Sequence, residues 1–185
     1  IEKGEILICP TDTVYGFLAD ATNKRAVKKI WLIKKRPKQK ALPIFVKDIK
    51  MAKKLAKIDK NQEKFLKKIW PGKITVVLRK KPKQKNKIYG VAPKTIALRI
   101  PDYEFINALS GKTKLPLTGT SANIFGKSAS VKIKEVLKQF ENSEVKPDLV
   151  LDVGNLRKAR PSTVVDLTGK RLKILRKGSG RILKI

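Results

Sequence analysis

Short apolar runs alternate with segments of helical periodicity along most of this chain, and that alternation restricts it to an α/β architecture more firmly than any other feature. Ile6 to Cys9 reads as a buried strand. Asn23 then caps a helix whose apolar residues Ala26, Val27, Ile30, Trp31 and Ile33 recur at helical spacing, and Pro37 is expected to stop it after Arg36. Leu42 to Val46 is a second strand, Asp48 opens a short helix, and a third helix begins after Asp59 and runs to Trp70, where Pro71 and Gly72 end it. Strands follow at Ile74 to Leu78 and Ile96 to Ile100, separated by a polar, lysine-rich stretch from Arg79 to Lys94 that reads as a mobile loop. A helix from Asp102 to Leu109, a strand from Leu115 to Thr118 and a helix from Lys132 to Phe140 come next. Strands at Leu149 to Asp152, Thr163 to Asp166 and Leu172 to Leu175 complete the series, the last two joined by a turn at Thr168-Gly169. The closing hairpin makes the expected sheet mixed, and no Pro/Gly/Ser-rich linker divides the chain, so the expectation is one α/β domain over 1–185.

The same chain is very basic, with a formal net charge of +30. Cationic surfaces of that kind suit nucleic acid, but the 45 basic residues are mostly lysines spread over every segment, which weakens the inference. The few arginines are more informative, because a planar guanidinium matches carboxylate and phosphate as an ammonium does not. There is no histidine, which removes the usual general base and every Ser-His or Cys-His nucleophilic pair. Cys9 is the only cysteine, so neither an internal disulfide nor a multi-cysteine metal site is available, and a reducing cytoplasm is the expected compartment. No run of 18 apolar residues and no signal-peptide pattern is present, so no membrane partner is expected.

The strand ends carry the polar groups. Ile6-Leu7-Ile8-Cys9 empties into Pro10-Thr11-Asp12-Thr13-Val14-Tyr15-Gly16, a concentration of hydroxyls and a carboxylate suited to lining a ligand cleft at the edge of an open sheet, or to forming an ordinary turn. Lys34-Lys35-Arg36-Pro37 gathers cations at a helix end, either to complement the helix dipole or to clamp phosphate, with Arg36 gripping oxygens and Lys34 supplying a point charge. Arg99 stands in the apolar strand Ile96-Ala97-Leu98-Arg99-Ile100, where an unpaired guanidinium is too expensive to bury, so it requires a carboxylate from the protein or from a ligand. Leu117-Thr118-Gly119-Thr120-Ser121-Ala122-Asn123 leaves a strand through small residues into hydroxyls and an amide, a composition that suits phosphate or ribose, or a hydrogen-bonded turn.

Seven segments in order resemble the YrdC-like family of threonylcarbamoyl-AMP synthases: PTDTVYG at 10 to 16, KKRP at 34 to 37, WPGKITVVL at 70 to 78, IALRIP at 96 to 101, SAN at 121 to 123, STVVD at 162 to 166 and ILRKG at 174 to 178. The resemblance implies a twisted, mixed, open sheet with helices and a concave basic face. It implies an enzyme, a nucleotidyltransferase, that joins L-threonine, bicarbonate and ATP into threonylcarbamoyl-AMP and pyrophosphate. A Mg2+ ion is implied on the phosphates and no metal on protein ligands. Partner proteins of tRNA modification consume the product, with RNA or tRNA contact as a further implication. By position, Thr13, Tyr15, Arg99 and Gly119 are implied at the threonine. Lys34 and Arg36 are implied as the catalytic cations on the triphosphate, and Thr95, Ser121, Asn123, Ser162 and Arg176 at the nucleotide.

Two positions depart from the family pattern. Phe45 stands where many members carry a histidine near threonine, and Ala129 where a nucleotide-binding serine is usual, with Ser128 or Ser130 as substitutes. A noncatalytic RNA-binding or ribosome-assembly factor on the same fold is the competing reading, from the net charge and the missing histidine. A carbamoyl-transferring domain of the hydrogenase-maturation type is a third, disfavoured by the lone Cys9.

Overall fold

The computed structural model describes residues 1–82, 87–169 and 171–182. In chain order the elements are β1 (Leu7–Cys9), β2 (Gly16–Leu18), α1 (Lys24–Ile33), β3 (Ile44–Phe45), α2 (Ile49–Leu55), α3 (Lys60–Ile69), β4 (Ile74–Arg79), β5 (Thr95–Arg99), α4 (Glu104–Thr113), β6 (Leu117–Thr118), β7 (Thr120–Ser121), α5 (Ile133–Lys138), β8 (Leu149–Val150), β9 (Thr163–Asp166) and β10 (Lys173–Arg176). Part of the stretch expected as a mobile loop, residues 83–86, lies outside the described residues, as does residue 170 next to the expected closing turn. No helix among the described residues is long and apolar enough to cross a membrane.

The strands form two open sheets, ordered β7-β2-β1-β8 and β10-β9-β4-β5-β3-β6. Both are mixed: β1 runs antiparallel to β2 and parallel to β8, and β4 runs antiparallel to β5 and parallel to β9. The unbroken apolar run in β1 follows from burial on both faces. Ile6 and Ile8 enter a core with Phe17, Val27, Ile30, Ile33, Val136 and Phe140 under α1 and α5, while Leu7 and Cys9 pack on the other side with Phe45, Ile106 and Leu117. A third core joins the six-stranded sheet, through Ile44, Val76, Leu78, Leu98 and Val165, to Ala52, Leu55 and Leu66 of α2 and α3. Each such Ile, Val or Leu contributes on the order of 1.5–3 kcal/mol by leaving water.

The chain steps from one sheet to the other within residues 117–121. Leu117–Thr118 ends the six-stranded sheet beside β3, Thr120–Ser121 ends the four-stranded sheet beside β2, and Gly119 lies between them. Thr118 pins the step: its backbone N–H donates to Ala19 O at 2.8 Å, and its hydroxyl accepts from Ala19 N at 3.0 Å. A Cβ on residue 119 would lie 2.3 Å from the Phe45 ring, so only glycine fits there.

Two local differences from the sequence expectation shape the site. Helix α1 ends at Ile33, not at Arg36. Lys35 adopts φ +49°, its N–H donates to Leu32 O at 3.0 Å, and Arg36 N donates to Trp31 O at 2.9 Å, the double bond pattern of a left-handed helix cap. This cap separates Lys34 from Arg36, so that the two side chains leave in different directions. Secondly, β2 and β7 are strands where only polar loop was expected. β2 pairs with its neighbour β1 through Leu7↔Leu18, Ile8↔Phe17 and Cys9↔Gly16, and β7 is held on β2 by Gly16↔Ser121 and Phe17↔Thr120, pairs remote in sequence that leave no local signal.

Candidate functional site

The sheet-to-sheet step borders a cleft of roughly 560 Å³, open mouth included, which gathers residues from strand ends of both sheets. From the β1–β2 loop come Thr11 and Thr13, from β3 Phe45, from β5 Arg99, from the step Gly119, Thr120 and Ser121, from the approach to β9 Pro161 and Ser162, from β10 Arg176, and from the cap of α1 Arg36. The structure therefore brings together eight of the residues expected at the site: Thr13, Tyr15, Arg36, Arg99, Gly119, Ser121, Ser162 and Arg176.

Arg99 settles the choice left open by its sequence context. It is buried, and its Nη2 donates to Asp12 Oδ1 at 2.5 Å in an ion pair whose side chains are 4% and 5% exposed. The other Asp12 oxygen accepts from Asp102 N at 3.2 Å. Nε of Arg99 donates to Gly72 O at 2.9 Å, and Nη1 lies 3.5 Å from Thr13 Oγ1. A guanidinium has five N–H groups; with three engaged, two remain for a ligand in the cleft. Burial pulls the Arg99 pKa below the usual guanidinium value, Asp12 works against the fall, and Arg176 adds to it. Asp12 itself was not singled out from the sequence. The signal was there, since it is the only carboxylate in the 10–16 segment and Arg99 required one.

The hydroxyls have defined polarity. Thr11 donates its hydroxyl hydrogen to Val14 O at 2.7 Å, so the 2.9 Å contact between Thr11 and Thr13 is a bond in which Thr13 donates. Thr13 Oγ1 therefore offers lone pairs toward Arg99 and the cleft, and is suited to accepting an N–H. Ser121 Oγ donates to Asn123 Oδ1, so it too faces the cleft as an acceptor, a better match to a ribose hydroxyl than to phosphate. Ser162 Oγ pairs with Thr75 Oγ1 at 2.8 Å and accepts from Arg176 Nη2 at 3.2 Å.

Arg36 and Arg176 are oriented from the sides of the cleft. Arg36 Nε donates to Lys40 O at 3.0 Å and Nη2 to Ala41 O at 2.9 Å, and its guanidinium lies 5.2 Å from the ring centroid of Phe125. Arg176 holds Ser162 O through Nε at 3.1 Å and Nη2 at 2.8 Å. Burial lowers the pKa of both, and for Arg36 the charge of Arg176 adds to the fall. Arg176 raises the cost of ionising both Arg36 and Arg99, and three guanidiniums around one cleft with no Asp or Glu in its lining make an anion site.

Other expected site residues turn elsewhere. Lys34 is 1% exposed and absent from the cleft lining, and its ammonium donates to Ser121 O, to Asn123 O at 2.8 Å and to Asn123 Oδ1 at 3.4 Å. Asn123 spends its amide inside its own loop, donating to Ile124 O at 2.8 Å and Lys127 O at 2.7 Å. Tyr15 touches the cleft, but its hydroxyl lies on the far side, donating to Gly154 O at 2.8 Å and accepting from Val153 N at 3.2 Å. Thr95 opens β5 opposite Arg79, four residues from Arg99 and so about 13 Å along the strand, outside the cleft lining. Phe45 is a wall residue, 5.6 Å from the Arg99 guanidinium and flush against Gly119. Among the described residues no group of three or more His, Cys, Asp or Glu side chains is placed to hold a metal ion.

The family model for Sua5, YciO and YrdC proteins, described as telomere recombination, matches residues 1–178. A Methanocaldococcus jannaschii protein provisionally named threonylcarbamoyl-AMP synthase is 37% identical over 185 residues, 100% of this chain and 85% of its own length. The threonylcarbamoyl-AMP synthase of Pyrococcus abyssi is 35% identical over 169 residues, 91% of this chain and 48% of its own length. The crystal structure of P. abyssi Sua5 complexed with L-threonine matches with a TM-score of 0.84 at 34% identity, over 96% of this chain and 52% of that one. This chain thus spans about half the length of its Pyrococcus relative.

Proposed function

The chain belongs to the Sua5, YciO and YrdC family, and from that membership we propose that it is an L-threonylcarbamoyladenylate synthase, a nucleotidyltransferase working as one domain over 1–185. The observation that carries the reading is the convergence of Arg36, Arg99 and Arg176 on a cleft lined by neutral hydroxyls, in a chain without histidine. That arrangement suits substrates that bring several negative charges and need no protein base.

In this reading the two free N–H groups of Arg99 receive the threonine carboxylate, and Thr13 Oγ1 accepts an N–H of its amine. The neutral amine adds to bicarbonate with loss of water, or to carbon dioxide with release of a proton to solvent, to give a carbamate whose oxygen is already anionic. That oxygen attacks the α-phosphorus of ATP; the new P–O bond forms as the bond to pyrophosphate breaks, and the electron pair leaves with pyrophosphate. Arg36 and Arg176 neutralise the phosphates, Ser121 accepts from the ribose, and Ser162, held by Arg176, closes the side between threonine and nucleotide. Magnesium, when bound, supplies further charge neutralisation and is carried by the phosphate oxygens. The product then passes to partner proteins that modify tRNA.

A noncatalytic RNA-binding factor explains the net charge but gives no reason for three arginines to converge on one enclosed cleft. The deciding assay is pyrophosphate release from ATP with threonine and bicarbonate each withheld in turn. Release that needs both supports the synthase. Release that ignores threonine, or none under conditions where the Pyrococcus relative works, removes it.

A further inference from the structure

Lys34 is a buried cation that the chemistry above does not use. Its side chain crosses beneath the 119–127 loop, passes 5.6 Å from the Phe17 ring, and meets three oxygens of that loop: Ser121 O, Asn123 O and Asn123 Oδ1. From the other direction Phe125 N donates to Lys34 O at 2.7 Å. The start of the loop is also held by backbone bonds, Gly119 N to Pro43 O and Ala122 N to Tyr15 O, both at 2.8 Å, and by the β7–β2 pairing. Beyond Ser121 it is shaped by its own Asn123 and by Gln139, whose Oε1 accepts from Ile124 N at 3.0 Å and whose Nε2 donates to Ser128 O at 3.0 Å. Among the described residues Lys34 forms no ion pair with a carboxylate, and Arg36, of like sign, acts on it. An ammonium has three hydrogens and here has three acceptors; a neutral amine has two.

We propose that Lys34 is a positioning residue whose protonated ammonium is the strut that fixes the 119–127 loop, and thereby the orientation of Ser121 at the nucleotide side of the cleft, and that it does not itself touch phosphate. The proposal rests on the nucleotide reading only for the identity of the ligand. Burial and the charge of Arg36 pull the Lys34 pKa from 10.5 to about 7, so the strut loses its third hydrogen within the range in which proteins work. At the other end of the cleft Arg99 is held by the carboxylate of Asp12 and not by neutral carbonyls, so the two ends are anchored differently.

Two measurements test this. Hydrogen exchange of the unmodified protein, corrected for the intrinsic pH dependence, is followed from pH 6 to pH 8.5. Opening that exposes Lys34 takes up a proton above about pH 7, so the 119–127 amides are expected to gain protection as pH rises past that point, while those of 11–18 do not; protection that is flat in the 119–127 loop overturns the proposal. Calorimetric titration then compares AMP, ATP and L-threonine on Lys34→Met and the unmodified protein at pH 6. Loss of the charged strut is expected to weaken AMP and ATP by the same factor, about tenfold to a hundredfold, with threonine within about twofold. Lys34→Arg, which keeps the charge, is expected to recover part of the loss. A loss for ATP much larger than for AMP identifies a phosphate contact and overturns the strut, as does a fall in melting temperature with unchanged nucleotide affinity. Should Lys34→Met fail to fold, the exchange measurement decides alone. If the loop titrates but no nucleotide binds, the synthase reading fails and the strut stands.

Discussion

The loop from Pro10 to Tyr15 and the loop from Gly119 to Lys127 wall the same cleft, yet the first is anchored by a cation with a carboxylate and the second by a cation with carbonyls and an amide. Asp12 and Arg99 are both buried and cancel each other, so the charge is fixed and expensive to disturb. Lys34 is equally buried but unmatched, so its proton is the weak point. The difference teaches that burial by itself does not fix a charged anchor; the sign of its neighbours decides whether it breaks by mutation or by titration.

The first way to break the comparison is at its rigid end. Arg99→Ala leaves Asp12 buried without a partner, and a stability loss of about 3–5 kcal/mol is expected in urea unfolding. The double change Asp12→Asn with Arg99→Leu should recover much of that loss while leaving threonine binding absent. If Arg99→Ala is as stable as the parent, the pair is not the anchor.

Nucleotide affinity gives the next largest effect and separates Arg36 from Lys34, two cations two positions apart. Arg36→Ala removes a guanidinium that is held by carbonyls and faces the cleft, so ATP is expected to bind about tenfold to a hundredfold more weakly, with ATP affected more than AMP. Stability should change by about 1 kcal/mol or less, because Arg36 is partly exposed. An equal loss for ATP and AMP would place Arg36 with Lys34 in the loop framework instead.

The titration of Lys34 can be followed through stability as well. Its folded pKa of about 7 lies below the unfolded value of 10.5, so between these limits the unfolded chain binds more protons and stability rises with pH. Cys9 acts in the opposite direction higher up. Burial raises its pKa from 9.0 to about 12, so its contribution is intact below pH 9 and is lost as pH climbs toward 12. Melting temperature should therefore rise from pH 7 to about pH 9, level off to about pH 10.5 where the two slopes cancel, and fall beyond. In Lys34→Met the rise should vanish and the fall remain; a rise that survives assigns the slope to another group.

How much of this was legible in the sequence follows the same division between local and remote causes. The run Ile6 to Cys9 and the Asn23 cap with its helical periodicity act locally, and β1 and α1 are where those patterns place them. The two-residue strand β7 owes its existence to pairing with β2 across about a hundred residues of chain, and Thr120-Ser121 is too short to carry a period-2 signal of its own. At the site, the need of Arg99 for a carboxylate was legible because desolvation acts on any buried guanidinium, whereas its partner was decided by topology. Lys34 and Arg36 look alike in sequence because the cap that separates them depends on one backbone dihedral, at Lys35.

That dihedral supplies the smallest and sharpest effect. Lys35 holds φ +49°, a conformation in which a Cβ costs about 1–2 kcal/mol, and it is exposed, so its side chain has little packing to lose. Lys35→Gly relieves the strain but adds freedom to the unfolded chain, and a net gain of about 1 kcal/mol is expected. If the cap is what sends Lys34 inward and Arg36 to the cleft, glycine should preserve both directions, and nucleotide affinity should stay within about twofold while the melting temperature rises. Lys35→Val, whose branched side chain resists φ > 0, should instead loosen the cap. Its loss should fall on both AMP and ATP and leave threonine binding in place, because the cap orients Lys34 beneath the loop and Arg36 at the cleft and makes no contact with the pair of Arg99 and Asp12.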